Sequence, residues 1–137
     1  YHLHIYLRYS LERKLINGEI EVEELPERWN NRMEELLGMR PENDVEGVLQ
    51  DIHWYQGSIG YFTTYSLGSV LSAQIYNAMK DDIKNINGKI STGSFKILKE
   101  WLKENIHKHG KKYRTDELIK KITGTELSPD PFLDYVQ

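Results

Sequence analysis

Apolar residues recur at helical spacing along nearly the whole chain. Leu3, Leu7, Leu11 and Leu15 repeat every four residues, and Ile5, Tyr6, Tyr9 and Ile16 widen that surface, predicting a helix buried on most sides. Asn17-Gly18 is a stop of the left-handed cap type. Residues 19–24 alternate like a strand only briefly and, with no second strand to pair, read as an extended connector. Leu25-Pro26 opens a second helix, with the proline in the first turn where its missing N–H costs nothing. Leu25, Trp29, Met33, Leu36 and Leu37 form the inner stripe of this helix, and Gly38 ends it. After the loop Arg40-Pro41-Glu42-Asn43, Asn43 or Asp44 caps a third helix reaching about Tyr55, broken by Gly57-Ser58-Ile59-Gly60. A long fourth helix runs from about Thr64 to Ile86 and stops at Asn87-Gly88. Ser91 or Thr92 caps a fifth, whose apolar face is Phe95, Leu98, Leu102 and Ile106, with Trp101 beside it and Lys96, Lys99 and Lys103 outside. A short capped helix from Thr115 to about Ile122 and a terminal turn or helix from Pro129-Asp130-Pro131 complete the pattern. The reading is all-α, with residues 1–137 a single helical domain and no repeat or low-complexity tract.

Composition narrows the function classes. At 137 residues the chain buries roughly 65–70% of its unfolded surface. A net charge of −3 with 28% charged residues argues against nucleic acid as a partner, since such proteins carry a strongly basic balance. The absence of cysteine removes disulfides and thiolate metal sites and fits a reducing, cytoplasmic setting. No apolar run reaches the ~18 residues of a membrane span. The first methionine is Met33 and Tyr1 opens directly into the apolar pattern, so further sequence is expected before Tyr1.

Candidate chemistry concentrates between residues 47 and 68. Gln50, Asp51, His53 and Trp54 lie in one segment, and on a continuous helix Gln50 and His53 share a face while Asp51 is rotated off it by about 100°. One reading makes the histidine and glutamine groups satisfied by buried backbone; the other makes them hydrogen-bonding contacts to a peptide or carboxylate. Gly60-Tyr61-Phe62-Thr63-Thr64-Tyr65 follows, with Thr63 or Thr64 as a helix cap and Tyr61 and Tyr65 either core aromatics or phenolic donors. Helix N-termini favour anionic ligands. Arg8 and Glu12 stand four apart, placed either to pair across a turn or to lie on a solvated face. His2 and His4, like His107 and His109, are two apart and diverge on a helix, so neither pair suits a metal; His107 is placed to meet a helix dipole. No H-E-x-x-H and no Gly-rich phosphate loop occurs.

The run Gly47-Val48-Leu49-Gln50-Asp51-Ile52-His53-Trp54 resembles the G-x-x-Q-D-x-H-W signature of the family-32 zinc metallocarboxypeptidases of the thermostable carboxypeptidase 1 type. Similarity extends to Leu3-His4-Ile5-x-Leu7-Arg8, Leu25-Pro26-x-x-Trp29-Asn30, Arg40-Pro41-x-Asn43-Asp44, Trp101-Leu102-x-Glu104-Asn105-Ile106-His107-x-His109-Gly110, Tyr113 and Thr123-Gly124. One departure is Thr63, where the family usually has proline. The resemblance implies the helical C-terminal part of a zincin-like carboxypeptidase that releases single residues from peptide C-termini. In that family zinc is held by an H-E-x-x-H helix and a further glutamate, and an arginine motif receives the substrate carboxylate. All of these are expected upstream, so the implied set within this chain contains no metal ligand and no general base. His53, Tyr65 and Gln50 are implied to contact the terminal residue or the scissile carbonyl. Asp51, Trp54 and Tyr61 are implied to support them. Peptide C-termini, an N-terminal lobe of the same enzyme and a homodimeric parent are the implied partners, and the piece alone is expected to be inactive. A helical interaction module with no catalytic role is the alternative.

Overall fold

A computed structural model describes residues 1–137, and its regular structure is entirely helical. The α-helices are α1 (His2–Ile16), α2 (Leu25–Leu37), α3 (Ile52–Tyr55), α4 (Thr63–Asp82), α5 (Ile86–Ser91), α6 (Phe95–Asn105), α7 (Thr115–Thr123) and α8 (Asp130–Val136). Single 3-10 turns cover Val22–Glu24, Val48–Gln50 and His107–His109. No helix is long and apolar enough to cross a membrane. The chain divides into two compact units, Tyr1–Leu67 and Gly68–Gln137.

In the first unit α1 packs on α2. Leu7, Leu11, Ile20, Leu25, Trp29 and Val48 form the buried cluster, with Leu15, Met33, Leu36 and Trp54 against it. Each fully buried side chain of the cluster contributes about 1.5–3 kcal/mol through removal of apolar surface from water. The α1 surface is only half buried: Leu3, Tyr6, Tyr9 and Ile16 are exposed, against the expectation of burial on most sides. The connector after Gly18 is anchored by Ile20 and closes into a 3-10 turn in which Glu21 N donates to Glu24 Oε2 at 2.9 Å. Gly38 adopts φ 68° and terminates α2 as expected.

The expected third helix does not form as one element. Residues 44–47 are turns, Val48–Gln50 is a 3-10 turn, and Asp51 is extended at φ −84°, ψ 100° before α3 begins. The reason is the Asp51 side chain, which accepts from the His53 and Trp54 backbone N–H groups and so starts a new helix. Gly47 sits where a Cβ would come within 3.2 Å of Asn30 Oδ1, Asn43 O and Pro41 Cβ, so a side chain there would crowd its neighbours.

In the second unit Met79, Ile83 and Ile86 form the buried cluster, against which Tyr76, Ile90, Leu98, Trp101 and Leu102 pack. α4 ends at Asp82 rather than Ile86, because Asn85 takes the left-handed conformation at φ 54°. Asn87-Gly88 therefore lies inside α5 instead of ending α4. The Ser91 and Thr92 hydroxyls donate back to Gly88 O, each at 3.0 Å, so they close α5 rather than cap α6. Phe95 is exposed, and the packed face of α6 is Leu98, Trp101 and Leu102. Gln74 is the unit's buried polar residue: its Nε2 donates to Glu126 O at 2.8 Å and Thr125 Oγ1 at 3.0 Å, while Ser128 N donates to its Oε1 at 3.2 Å.

Candidate functional site

Within the first unit, the polar side chains of α1 meet the segment 51–65. Asp51 is among the most buried residues of the chain at 2% exposure. Its Oδ1 accepts from His53 N at 2.8 Å and Trp54 N at 3.3 Å, and its Oδ2 lies 3.4 Å from Arg8 Nε. That last contact is ionic without hydrogen-bond alignment, since Arg8 Nε and Asp51 Oδ2 are both buried and lack a hydrogen-bond partner. Arg8 is held between aromatic faces, its Cζ 4.6 Å from the Trp29 ring and 5.0 Å from that of Phe62, and it donates to His4 O at 3.0 Å. Burial pulls the Arg8 pKa below its ordinary value, and Asp51 opposes that shift. The His4 pKa is also lowered, first by burial and then by the Arg8 charge.

The expected pairing of Arg8 with Glu12 does not occur, nor are the two solvated. Glu12 is 7% exposed, and its Oε2 accepts the Trp54 indole N–H at 2.9 Å while its Oε1 accepts Gly60 N–H at 2.7 Å. Gly60 adopts φ 78°, a left-handed conformation that aims its N–H at the carboxylate and that a side chain would strain.

His53 is enclosed by rings. Tyr61 stacks on it at 5.4 Å and 21°, Phe62 meets it at 4.4 Å, and Tyr65 stands edge-on at 5.9 Å. His53 Nε2 and Tyr65 Oη are 3.2 Å apart. His53 Nδ1 lies 3.6 Å from Asp51 Oδ1 and is buried without a hydrogen-bond partner. His53, Tyr61, Tyr65, Asp51 and Trp54 are thus brought together. Gln50 is not: the extended Asp51 breaks the shared helical face, and the Gln50 amide donates to Val45 O. Trp54 packs edge-on against Trp29 at 5.9 Å. Thr63 begins α4, but its hydroxyl donates backwards to Gly60 O at 3.1 Å, as Thr64 does to Tyr61 O, so neither side chain takes up the following N–H groups as a cap.

Phe62, Arg8 and Glu12 were not among the sequence-derived site residues. The available signal was chemical mismatch: a carboxylate at position 12 adjoins Leu11 and Leu15 on the apolar side of α1. No group of three or more His, Asp or Glu side chains is placed to hold a metal ion. Asp51 and Glu12 are committed to N–H groups and Arg8, so these two carboxylates do not present the open donor set that a metal requires.

The helical fold and the Gln-Asp-x-His-Trp run go with a metallopeptidase class: the chain belongs to the carboxypeptidase Taq (M32) metallopeptidase family, matched over residues 1–137. It is 47% identical to thermostable carboxypeptidase 1 of Pyrococcus furiosus, covering 100% of this chain and 28% of that protein. It is 40% identical to carboxypeptidase 1 of Bacillus subtilis over 99% of this chain and 27% of that protein. The solved structure of Pyrococcus furiosus carboxypeptidase superposes with a TM-score of 0.94 at 47% identity, over 99% of this chain and 27% of that one. The chain therefore spans a little over a quarter of the length of the relatives it matches.

Proposed function

We propose that these residues supply part of the substrate groove of a metallocarboxypeptidase that removes single residues from peptide C-termini. The observation that carries this reading is His53: its Nε2 meets the Tyr65 hydroxyl, while its Nδ1 side faces the buried Asp51 carboxylate. His53 Nε2 and the Tyr65 hydroxyl put two hydrogen-bonding groups side by side, the phenol able to donate and the imidazole nitrogen donating in its Nε2–H tautomer. Such donors serve a substrate carboxylate or the oxygen on which negative charge develops as the peptide bond is attacked. Tyr61 stacks on the imidazole and limits its rotation, and Asp51 with Trp54 fixes the backbone beneath it. Gln50, on the neighbouring turn, is a peripheral contact to the substrate.

The divalent metal, zinc in this reading, is held by residues outside this set. The 137 residues then act as one helical segment of a longer enzyme and are inactive alone. The exposed Leu3, Tyr6 and Ile16 of α1 are apolar surface for the remainder of the polypeptide to cover. A homodimeric parent belongs to the same reading.

The test is His53→Ala in the full-length enzyme. kcat/KM toward a C-terminal peptide should fall about ten-fold or more, the scale of a lost oxyanion donor, with the bound metal stoichiometry unchanged. Undiminished turnover would reduce His53 to a packing residue.

A further inference from the structure

Glu12 has no place in the substrate contacts just proposed, yet it is the most fully engaged buried charge of the first unit. Both of its oxygens accept, one from a side chain 42 residues away and the other from a backbone N–H 48 residues away. Those two donors flank the turn between α3 and α4. Trp54 directly follows His53, and Gly60 directly precedes Tyr61, which stacks on His53. A single carboxylate thereby fixes the two ends of the turn against α1 and with them the spacing of His53 from Tyr61 and Tyr65.

The arrangement is unusual for a structural acid. Glu12 has no cation among its partners; Arg8, one turn earlier, is turned to Asp51 instead. A buried carboxylate satisfied only by neutral N–H groups is costly to desolvate and is retained where its geometry is needed. A glutamine of the same shape cannot replace it: the amide NH2 donates, and it would confront either the Trp54 indole N–H or the Gly60 N–H.

We propose that Glu12 is a positioning residue for the carboxypeptidase reaction, setting the His53–Tyr65 pair by clasping both ends of the 55–60 turn. This rests on His53 serving the substrate, and the experiment separates the two ideas. Glu12→Gln, His53→Ala and the double variant are compared in the full-length enzyme for kcat/KM, alongside the 15N signals of the His53 ring. Glu12→Gln should lower kcat/KM about ten- to hundred-fold, the scale of a small displacement at a reacting centre, and should shift the His53 ring signals. In the His53→Ala background the same substitution should cost less than about two-fold, because the pair acts as one unit. If Glu12→Gln fails to fold, Trp54→Phe removes one of the two donors while keeping an aromatic ring, and the same loss of effect in the His53→Ala background is expected. A silent Glu12→Gln beside a damaging His53→Ala overturns the positioning role alone, as does an equal loss in both backgrounds, which would mark general destabilisation. A silent His53→Ala overturns the substrate role of His53 and the positioning role together.

Discussion

The first unit keeps buried polar atoms unsatisfied, whereas the second satisfies its buried polar residue completely. Arg8 Nε, Trp29 Nε1, Asp51 Oδ2 and His53 Nδ1 are all buried without hydrogen-bond partners, and all lie in Tyr1–Leu67. In Gly68–Gln137 the buried Gln74 spends both ends of its amide on residues 123–128. The contrast separates two uses of buried polarity. A neutral amide with every partner in place ties a loop to a helix and stops there. Charged and aromatic groups left one contact short cost stability, and they collect where ligand chemistry is proposed.

The comparison breaks first at Trp29, the 1%-exposed centre of the first cluster and the floor beneath Arg8. Trp29→Ala should cost about 3–5 kcal/mol through the cavity and the lost ring contacts. Native-state hydrogen exchange should show α1 and α2 amides losing protection while α6 and α7 amides keep theirs. Equal loss in both units would mean that the first unit has no stability of its own to lose.

Gln74→Leu is the matching test in the second unit. The change removes the amide but leaves Glu126 O and Ser128 N without their present partner, at a cost of about 1–3 kcal/mol. Exchange should accelerate at residues 123–128 and at α7, with α1 and α2 undisturbed. An unchanged pattern would mean that the loop holds itself and that the Gln74 hydrogen bonds are incidental.

How much of this was legible in the sequence follows from the range of the forces involved. α1, α2 and α7 were readable because their ends are written in local code: Asn17-Gly18, Pro26, Gly38, and Glu117 capping Arg114 N at 3.0 Å. The break at Asp51 was misread because an aspartate suits both a helix surface and a helix cap, and only its buried setting decides. The α4–α5 boundary was missed because Asn85 takes a left-handed conformation alone, three residues before a glycine that looked the stronger stop. At the candidate site, local density of histidine and tyrosine flagged His53, Tyr61 and Tyr65. It could not reveal that Arg8 and Glu12 turn away from each other, each toward a partner more than 40 residues on. Long-range pairing leaves no periodic trace in a single sequence.

Acid sharpens the contrast by the smallest margin. His4 in the first unit and His109 in the second both have pKa values below their ordinary 6.5. For His4 the leading cause is burial and the next is the Arg8 charge, whose guanidinium donates to His4 Nδ1 at 3.1 Å. For His109 the leading cause is desolvation, followed by Lys108, Lys121 and Lys112 at an exposed surface. In both, the unfolded chain takes up a proton that the folded one resists, so their contribution is fully present above pH 6.5 and is lost as pH falls from there toward the folded value. Protection of α1 amides should therefore weaken between pH 7.5 and pH 5.5, and His4→Gln should flatten that dependence. Salt should tell the two apart, since exposed lysine charges are screened within about 8–10 Å at 0.1–0.15 M ionic strength and buried ones much less. The α1 slope should survive added salt, and the part of the second unit's slope that depends on His109 should shrink. A His4→Gln variant with the original slope would take the acid sensitivity away from this histidine.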